Sequence, residues 1–331
     1  MSPSQPWLSV LVPFYRVEPY LRACVESVLE QVDGGVEIVL LDDASPDNCG
    51  EIARDLRKAH GDTIRLLGHD RNRGLSAARN TLLSDARGDY VWFLDSDDLM
   101  LPGAIARLRA VVDAQAPDLV LGDFRVVREK LALKHKLRGE LHRRTFAGPS
   151  GRLLEDRQAL VTGLLAARQL HTWSKIARRE VWAQAHFPEG RAFEDIPVIP
   201  ALVAHGRRFV HIDRPLVGYR QRDDSIMATL SIAKQHDLMA ALRDLHDGIA
   251  PMVAADSDAR FALDYYCLRS LAGAARKMVG QDPALLEDVR ATLRHLFPEG
   301  PWQVLANCRD RGWRVRSWRV KRGLRRLESL A

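Results

Sequence analysis

Two groups of carboxylates, each just past a short apolar run, are the residues of this chain best suited to chemistry. Asp42 and Asp43 follow Val36-Glu37-Ile38-Val39-Leu40-Leu41, and Asp95, Asp97 and Asp98 follow Tyr90-Val91-Trp92-Phe93-Leu94. Both runs have the length and the β-branched or aromatic content of buried strands. Carboxylates just beyond such strands lie at the carboxyl edge of an α/β sheet, where open sheets of this class bind ligands. Like charges gathered there are costly unless cations or hydrogen-bond donors offset them. A divalent metal with a diphosphate, and a nucleoside offering N–H and O–H donors, are occupants that would do so.

Alternating strands and helices must position these groups. Ser9–Val12 reads as a strand ending at Pro13, followed by a helix with Leu21, Cys24, Val25, Val28 and Leu29 on one face. After the strand that ends at Asp42-Asp43, Ala44-Ser45-Pro46-Asp47-Asn48 carries turn and helix-capping chemistry. A helix through Ile52 and Leu56, a strand Ile64–Leu67, a turn at Asn72-Arg73-Gly74 and an alanine-rich helix Ala77–Leu83 come next. The fourth strand ends at Asp95, Pro102 opens a helix, and Leu119-Val120-Leu121 is a further strand. This alternation predicts an α/β fold with a doubly wound, mostly parallel, Rossmann-like sheet. No G-x-G-x-x-G follows the first strand and no P-loop is present. Nucleotide binding would therefore use carboxylates and a metal rather than an amide cradle alone.

Beyond this point the pattern is less regular. Arg125–Phe146 is strongly basic and reads as a hairpin or loop, Glu155–Leu170 is helical, and Phe193-Glu194-Asp195 reads as a loop entering a helix. From Ile232 onward the spacing is helical, through Leu238, Leu242 and Leu245, then Phe261–Met278, then Leu285–Leu296. A boundary near residue 230 divides a catalytic unit, 1–230, from a helical C-terminal region, 231–331.

The chain of 331 residues is 46% hydrophobic and 28% charged, as expected of a soluble globular protein. No stretch approaches the roughly 18 apolar residues of a membrane span, and residues 1–12 lack the apolar core of a signal peptide. Cys24, Cys49, Cys267 and Cys308 are scattered, which argues against a disulfide framework or zinc site and fits a reducing cytosol. His135, His142 and His171 have no metal-ligand spacing and read as surface or loop residues. The net charge of +6 is uneven: nine Lys or Arg lie in 301–331 against Asp310 and Glu328. There, Trp313, Val320, Leu324 and Leu327 share one helical face, while Arg314, Arg319, Lys321, Arg322, Arg325 and Arg326 largely lie elsewhere. That is the pattern of an amphipathic helix in an anionic membrane interface, with a packed helix whose basic face is solvated as the alternative.

Several short motifs follow one another in order: Val12-Pro13-Phe14-Tyr15, Leu41-Asp42-Asp43-Ala44-Ser45-Pro46-Asp47, Asn72-Arg73-Gly74-Leu75-Ser76-Ala77-Ala78-Arg79-Asn80 and Asp95-Ser96-Asp97-Asp98. Trp173-Ser174-Lys175, Glu194-Asp195, and Tyr219-Arg220-Gln221-Arg222 with Ser225 complete the series. In this order they resemble the family 2 glycosyltransferases of bacterial cell-envelope and polysaccharide synthesis, over about residues 8–228. The resemblance implies the GT-A fold and an inverting, metal-dependent transfer from a nucleotide diphospho-sugar, UDP-linked, to an acceptor hydroxyl. It implies a donor site of Pro13, Tyr15, Glu18, Asp42, Asp43, Arg79, Asp95, Ser96, Arg222 and Ser225. Tyr15 would stack on the base, and Asp43 would accept the base N–H. Asp97 and Asp95, matching the family's DxD motif, would hold Mg²⁺ or Mn²⁺. Asp195, paired with Glu194, would be the general base. Arg79 would support the nucleotide loop, and Arg222 and Ser225 would close over the diphosphate. Trp173 and Lys175 would line the acceptor side, with a strand-core Trp beside a snorkelling Lys as the alternative. Many relatives carry a metal-binding histidine in the last loop. Gln221-Arg222-Asp223-Asp224 has none, so Asp223 or Asp224 would have to substitute.

Rival readings fit less well. A strand ending in DxD also occurs in haloacid-dehalogenase-like phosphatases, but these want Thr or Val where this chain has Leu99. A nucleotidyltransferase would want a glycine-rich basic loop after the first strand, and Pro13-Phe14-Tyr15-Arg16-Val17-Glu18 is not one. A nucleic-acid-binding role for the basic tail leaves the acidic pairs unexplained, so no nucleic-acid partner is expected. The acceptor is a carbohydrate or lipid-linked molecule, and the location is cytoplasmic, peripheral on the inner face of the cell membrane.

Overall fold

The strands form where apolar residues run on without alternation, and both sheet faces must therefore be covered. In the computed structural model, which describes residues 5–128, 141–221, 231–278 and 282–328, β1 (Leu8–Phe14) is buried along its whole length. Helix α1 (Glu18–Leu29), β2 (Val36–Asp42), α2 (Cys49–His60), β3 (Ile64–Gly68), α3 (Leu75–Asp85) and β4 (Tyr90–Phe93) follow. These strands are parallel in the order β3-β2-β1-β4. The register sets Phe14 against Asp42, and Asp42 against Gly68, so the strand ends finish level and their loops meet on one edge.

The next elements are β5 (Leu99–Met100), α4 (Ala104–Gln115), β6 (Leu119–Val127), β7 (His142–Arg143), β8 (Leu153–Leu154) and α5 (Arg157–Ala167). Then come β9 (Lys175–Arg178), α6 (Arg179–Trp182), α7 (Ile199–His205) and β10 (Phe209–Arg220). The expected sheet is present, with one addition. Strand β9 inserts antiparallel between β4 and β6, and β6 continues the sheet in parallel with β10. That insertion carries Lys175 into the middle of the sheet, beside the carboxylates that follow β4.

Residues one apart along a strand face opposite sides, and two cores result. Val10, Val12, Ile38, Leu40 and Trp92 pack with Leu21 and Val25 of α1, Leu56 of α2 and Ile105 of α4. Leu11, Val39, Leu41, Val91 and Phe93 pack with Leu82 of α3, Leu160 and Leu164 of α5 and Leu202 of α7. The second core continues without a break into the C-terminal helices α8 (Ile232–Ile249), α9 (Asp258–Met278), α10 (Pro283–Leu296), α11 (Trp302–Asp310) and α12 (Arg314–Glu328). The boundary expected near residue 230 falls outside the described residues, but the helices beyond it share the apolar core of the sheet.

In the tail the apolar stripe follows the packed-helix alternative. Val320 and Leu324 are buried, and Trp313 packs against the rings of Phe261 and Tyr265 at 5.6 and 5.3 Å. A Cβ on Gly323 would lie 2.6 Å from the Ala272 carbonyl oxygen, so only glycine lets α12 lie this close to α9. The apolar stripe is a packing stripe, because α9 offers it a dry surface; the Leu327 side chain is outside the described residues. The outward apolar residues are instead Trp302, Val315 and Trp318. Among the described residues, no helix is long and apolar enough to cross a membrane, and all four cysteines are free and buried.

Candidate active site

The loops after β1 and β2 are tied to each other. Arg16 N–H donates to Ser45 Oγ at 2.8 Å, and Glu18 accepts from Asn48 N and Nδ2 at 3.1 and 2.8 Å. Ser45 N–H donates to Asp42 Oδ1 at 2.7 Å. Pro13 is buried at the end of β1, and Tyr15 is half-buried above it with the Arg16 guanidinium 5.2 Å from its ring centre. Burial pushes the Asp42 carboxyl up from its ordinary value.

Asp43 is only 3% exposed. Its Oδ1 meets Arg73 N–H at 2.9 Å and His69 Nδ1 at 2.6 Å; its Oδ2 accepts from Asn72 Nδ2 at 2.9 Å and Gly74 N–H at 2.8 Å. Gly74 sits at φ +87°, a conformation glycine adopts without strain, and this aims its N–H at the carboxylate. The resemblance has Asp43 accept a base N–H from a fixed position. In the structure it also anchors residues 69–74, and each oxygen already holds two partners. A base N–H would have to share or displace one of them.

Arg79, on α3, joins the two ends of the site. Its Nη2 donates to Asp95 Oδ1 at 2.9 Å, and its Nη1 donates to Glu194 Oε1 and Asp195 Oδ1, both at 3.0 Å. The side chain is 1% exposed and rests on the Phe187 ring at 5.5 Å, and its Nε is buried without a partner among the described residues. Burial alone would lower the Arg79 pKa, but Asp195, Asp95 and Glu194 together push it up, so the guanidinium stays charged. One cation thus faces three carboxylates.

These carboxylates are not equivalent. Burial raises Glu194 to about 7, with the Asp195 charge adding to the shift. Burial acts on Asp195 in the same sense, but Arg79, His171 and the Thr172 hydrogen bond outweigh it and hold Asp195 below its ordinary value. At neutral pH Asp195 is ionised while Glu194 is part-protonated. Thr172 holds the Asp195 Oδ1 with its N–H at 3.2 Å and with its hydroxyl. Oδ1 therefore serves Arg79 and Thr172, and Oδ2 faces His171 Nδ1 at 4.0 Å.

The Asp95-Ser96-Asp97-Asp98 loop is fixed by the end of β10. Arg220 N–H donates to Asp98 Oδ1 at 2.8 Å, and Arg220 Nε donates to the Asp97 carbonyl at 2.9 Å. Ser96 and Asp98 are buried, whereas Asp95 and Asp97 are half-buried. Burial, then Asp95 and Asp97, raise the Asp98 carboxyl well above its ordinary value. Among the described residues no group of three or more His, Cys, Asp or Glu side chains is placed to hold a metal. A pair of carboxylates with phosphate and water completing the shell is nonetheless a donor set that Mg²⁺ or Mn²⁺ accepts.

The wall beside Asp195 is aromatic. His171 stacks on Trp173 at 4.8 Å with planes 6° apart, and Tyr219 lies 5.8 Å from His171 and 5.6 Å from Trp173. Trp173 is 2% exposed, so it is the floor of this wall, and its carbonyl accepts from Trp92 Nε1 at 2.9 Å. Lys175, expected to line the acceptor side, is fully buried. Its Nζ donates to Gln169 O, His171 O and Ser174 Oγ at 2.8, 2.9 and 2.9 Å, so it is a strut beneath residues 169–174. Burial lowers it to about 7, with Asp195 opposing.

His142 is exposed, as expected, and bonds the buried Asp123 at 2.8 Å; His171 lies in a loop, as expected, and that loop borders the site. His135 lies outside the described residues, as do Arg222, Ser225, Asp223 and Asp224. Thr172 and His171 had no signal in the sequence beyond their nearness to Trp173.

Comparison with known proteins bears on the family and the fold. Residues 9–168 match the model of glycosyl transferase family 2. The chain is 30% identical to the glycosyltransferase GlyG of Streptococcus pneumoniae over 67% of this chain and 73% of that protein. It is 31% identical to the uncharacterized glycosyltransferase EpsJ of Bacillus subtilis over 67% of this chain, and the match spans 63% of EpsJ. The fold is similar to that of TarS 1–349 of S. aureus, solved in complex with UDP-GlcNAc, with a TM-score of 0.69 and 20% identity over 90% of this chain and 83% of that one. The chain belongs to glycosyl transferase family 2 and has the GT-A fold.

Proposed function

We propose that the protein moves a sugar from a UDP-sugar to an acceptor hydroxyl in one displacement, with inversion at the anomeric carbon. The observation that carries this reading is the Arg79 bridge, which fixes the donor-side Asp95 and the acceptor-side Asp195 on one guanidinium. Two reacting groups held by one buried fork keep a fixed separation, which is what positioning requires.

Asp195 takes the acceptor proton at Oδ2, the oxygen that Arg79 and Thr172 leave open. Arg79 and Thr172 keep that carboxylate ionised and oriented. Glu194, part-protonated, completes the Arg79 cage with less negative charge than a second full carboxylate. Tyr15 stacks on the base, with Asp42 nearby, and Asp43 sets the shape of that pocket through residues 69–74. Pro13, Glu18 and Ser96 fix the loops around the diphosphate. Asp97 with Asp95 would hold Mg²⁺ or Mn²⁺, which when bound offsets charge on the diphosphate. The complex of TarS with UDP-GlcNAc supports a UDP-linked donor.

The acceptor is a carbohydrate or lipid-linked molecule of the cell envelope, reached from the cytoplasmic side. Contact with an anionic inner membrane surface, if made by the tail, uses Trp302, Val315 and Trp318 with their neighbouring arginines, since the other apolar stripe is packed. A screen of nucleotide-sugar hydrolysis with and without Mn²⁺ tests the reading. It requires one UDP-sugar to be cleaved in the presence of the metal and Asp195→Asn to abolish that cleavage.

A further inference from the structure

The segment that carries Glu194-Asp195 is held in place from two directions. Phe193, immediately before the pair, sits at φ +60°. Residues other than glycine adopt this left-handed conformation rarely, and it persists only where surrounding contacts fix it. The upstream end of the segment is tied to the donor side. Asn80 of α3 donates to the Phe187 carbonyl at 2.9 Å and accepts from Phe187 N–H at 3.0 Å, and Arg73 pairs with Glu189 at 3.3 Å. At the bend itself the partners come from α8. Asp237 Oδ2 accepts from Ala192 N–H at 2.9 Å, and Asp244 Oδ2 accepts from Arg191 Nη2 at 2.8 Å.

Asp237 and Asp244 are two helical turns apart on α8 and so share a face. Gly248 continues that face, since a Cβ there would lie 2.6 Å from Pro200 Cβ at the start of α7. The face therefore runs along the chain from Arg191 to Pro200, with Glu194 and Asp195 between those two points. The two acids on it do different work. Arg191 and Asp244 are 30% and 44% exposed, and such ion pairs contribute little. Asp237 is half-buried and takes a backbone N–H beside Phe193, which fixes where the chain turns rather than where a long side chain ends. On the far side of the pair, Ile196 N–H donates to the Phe193 carbonyl at 3.0 Å. The turn that presents Asp195 is thus closed by Phe193 and anchored to α8 by Asp237.

We propose that Asp237 is a positioning residue for the transfer: it holds the Ala192-Phe193 bend and so sets where the Asp195 carboxylate stands. It acts through the backbone and not by contact with the sugar. Arg79 and Thr172 orient the carboxylate at Oδ1, whereas the bend fixes the backbone from which that side chain starts. A base displaced by about 1 Å can lose on the order of 10²-fold in rate. The inference rests on Asp195 being the base of the proposed reaction. It makes α8, beyond residue 230, a working part of the site.

Turnover of a cleaved UDP-sugar, UDP affinity by calorimetry and amide hydrogen exchange on the full chain test it together. Asp237→Ala should lower kcat by about tenfold or more while UDP affinity stays within about twofold, and exchange at Ala192 should quicken. Asp237→Asn keeps an oxygen that accepts from Ala192 N–H and should restore most of the turnover. Asp237→Gln carries that oxygen one methylene too far and should lose turnover as Ala does; it decides the matter if the Ala variant does not fold. Asp247→Ala removes an exposed acid of the same helix, whose partner is His295, and should leave kcat within about twofold as a control for loosening α8. In the Asp195→Asn background, Asp237→Ala should cost no further turnover, because nothing remains for it to place. Unchanged kcat in Asp237→Ala and Asp237→Gln, failure of Asp237→Asn to restore it, an equal loss in Asp247→Ala, or the same fold loss in the Asp195→Asn background would each overturn the proposal. Asp195→Asn alone reports on the transfer reading: with its turnover lost and that of Asp237→Ala intact, only the role of Asp237 fails.

Discussion

Two clusters of carboxylates at the same sheet edge solve the same electrostatic problem differently. Asp43 is held by four contacts, two of them from backbone N–H groups and one from the His69 ring. Asp95, Glu194 and Asp195 share one buried guanidinium and are left short of positive charge. The first arrangement gives a rigid wall. The second leaves a site whose protonation depends on what enters it, and it separates an ionised Asp195 from a part-protonated Glu194. Pairs of acids pushed apart by their surroundings commonly mark acid–base roles.

Removing the single cation should have the largest effect. Arg79→Leu strands three buried carboxylates, and breaking a buried ion pair from one side costs about 3–5 kcal/mol. Thermal unfolding should show a large loss of stability, and Arg79→Lys should recover only part of it because an ammonium cannot bridge both sides. Equal stability of Arg79→Leu and wild type would remove the contrast between the clusters.

The pH dependence sharpens it. Glu194 has a folded pKa of about 7, above its ordinary value. In the unfolded chain it ionises at lower pH, so folding favours its protonated form. Its stabilising contribution is complete below the unfolded pKa and is lost as pH rises through about 7. Glu194→Gln removes this dependence. Its stability relative to wild type should rise between about pH 4.5 and 7, by on the order of 1–3 kcal/mol, in denaturant titrations at several pH values. A constant difference across that range would contradict the assignment.

A smaller effect is expected at Asp43. Asp43→Asn keeps the shape but presents an N–H to one of the donors around it, for about 1–3 kcal/mol. Urea unfolding should report that loss. On the tail, Val320→Ala should cost about 0.5–3 kcal/mol as a buried truncation. Val315→Ala, at an outward position, should stay within about 0.5 kcal/mol. Reversed magnitudes would return the packed stripe to solvent.

Much of this was legible from spacing. β1, β2 and β4 are continuous apolar runs, and Asp42, Asp43, Asp95 and Asp97 fall where those runs stop. The pair Glu194-Asp195 was legible only through family motifs, because Phe193 sits at φ +60° in a loop with no periodicity. Strand β9 escaped because it is four residues long and begins with a lysine, and lysine is rarely buried without partners. His171 escaped because its role comes from Trp173, Tyr219 and Asp195, contacts that only the folded chain assembles. In the tail, periodicity found the amphipathic face of α12 but not what that face meets.

The most direct test is turnover by Asp195→Asn with a cleaved UDP-sugar. The amide keeps the shape and the Arg79 and Thr172 contacts at Oδ1 but cannot accept a proton. Donor affinity should match wild type within a few-fold, while turnover falls by about 10²–10⁴-fold, the usual contribution of a general base. Turnover within a few-fold of wild type, at unchanged donor affinity, would place the base elsewhere and contradict the account.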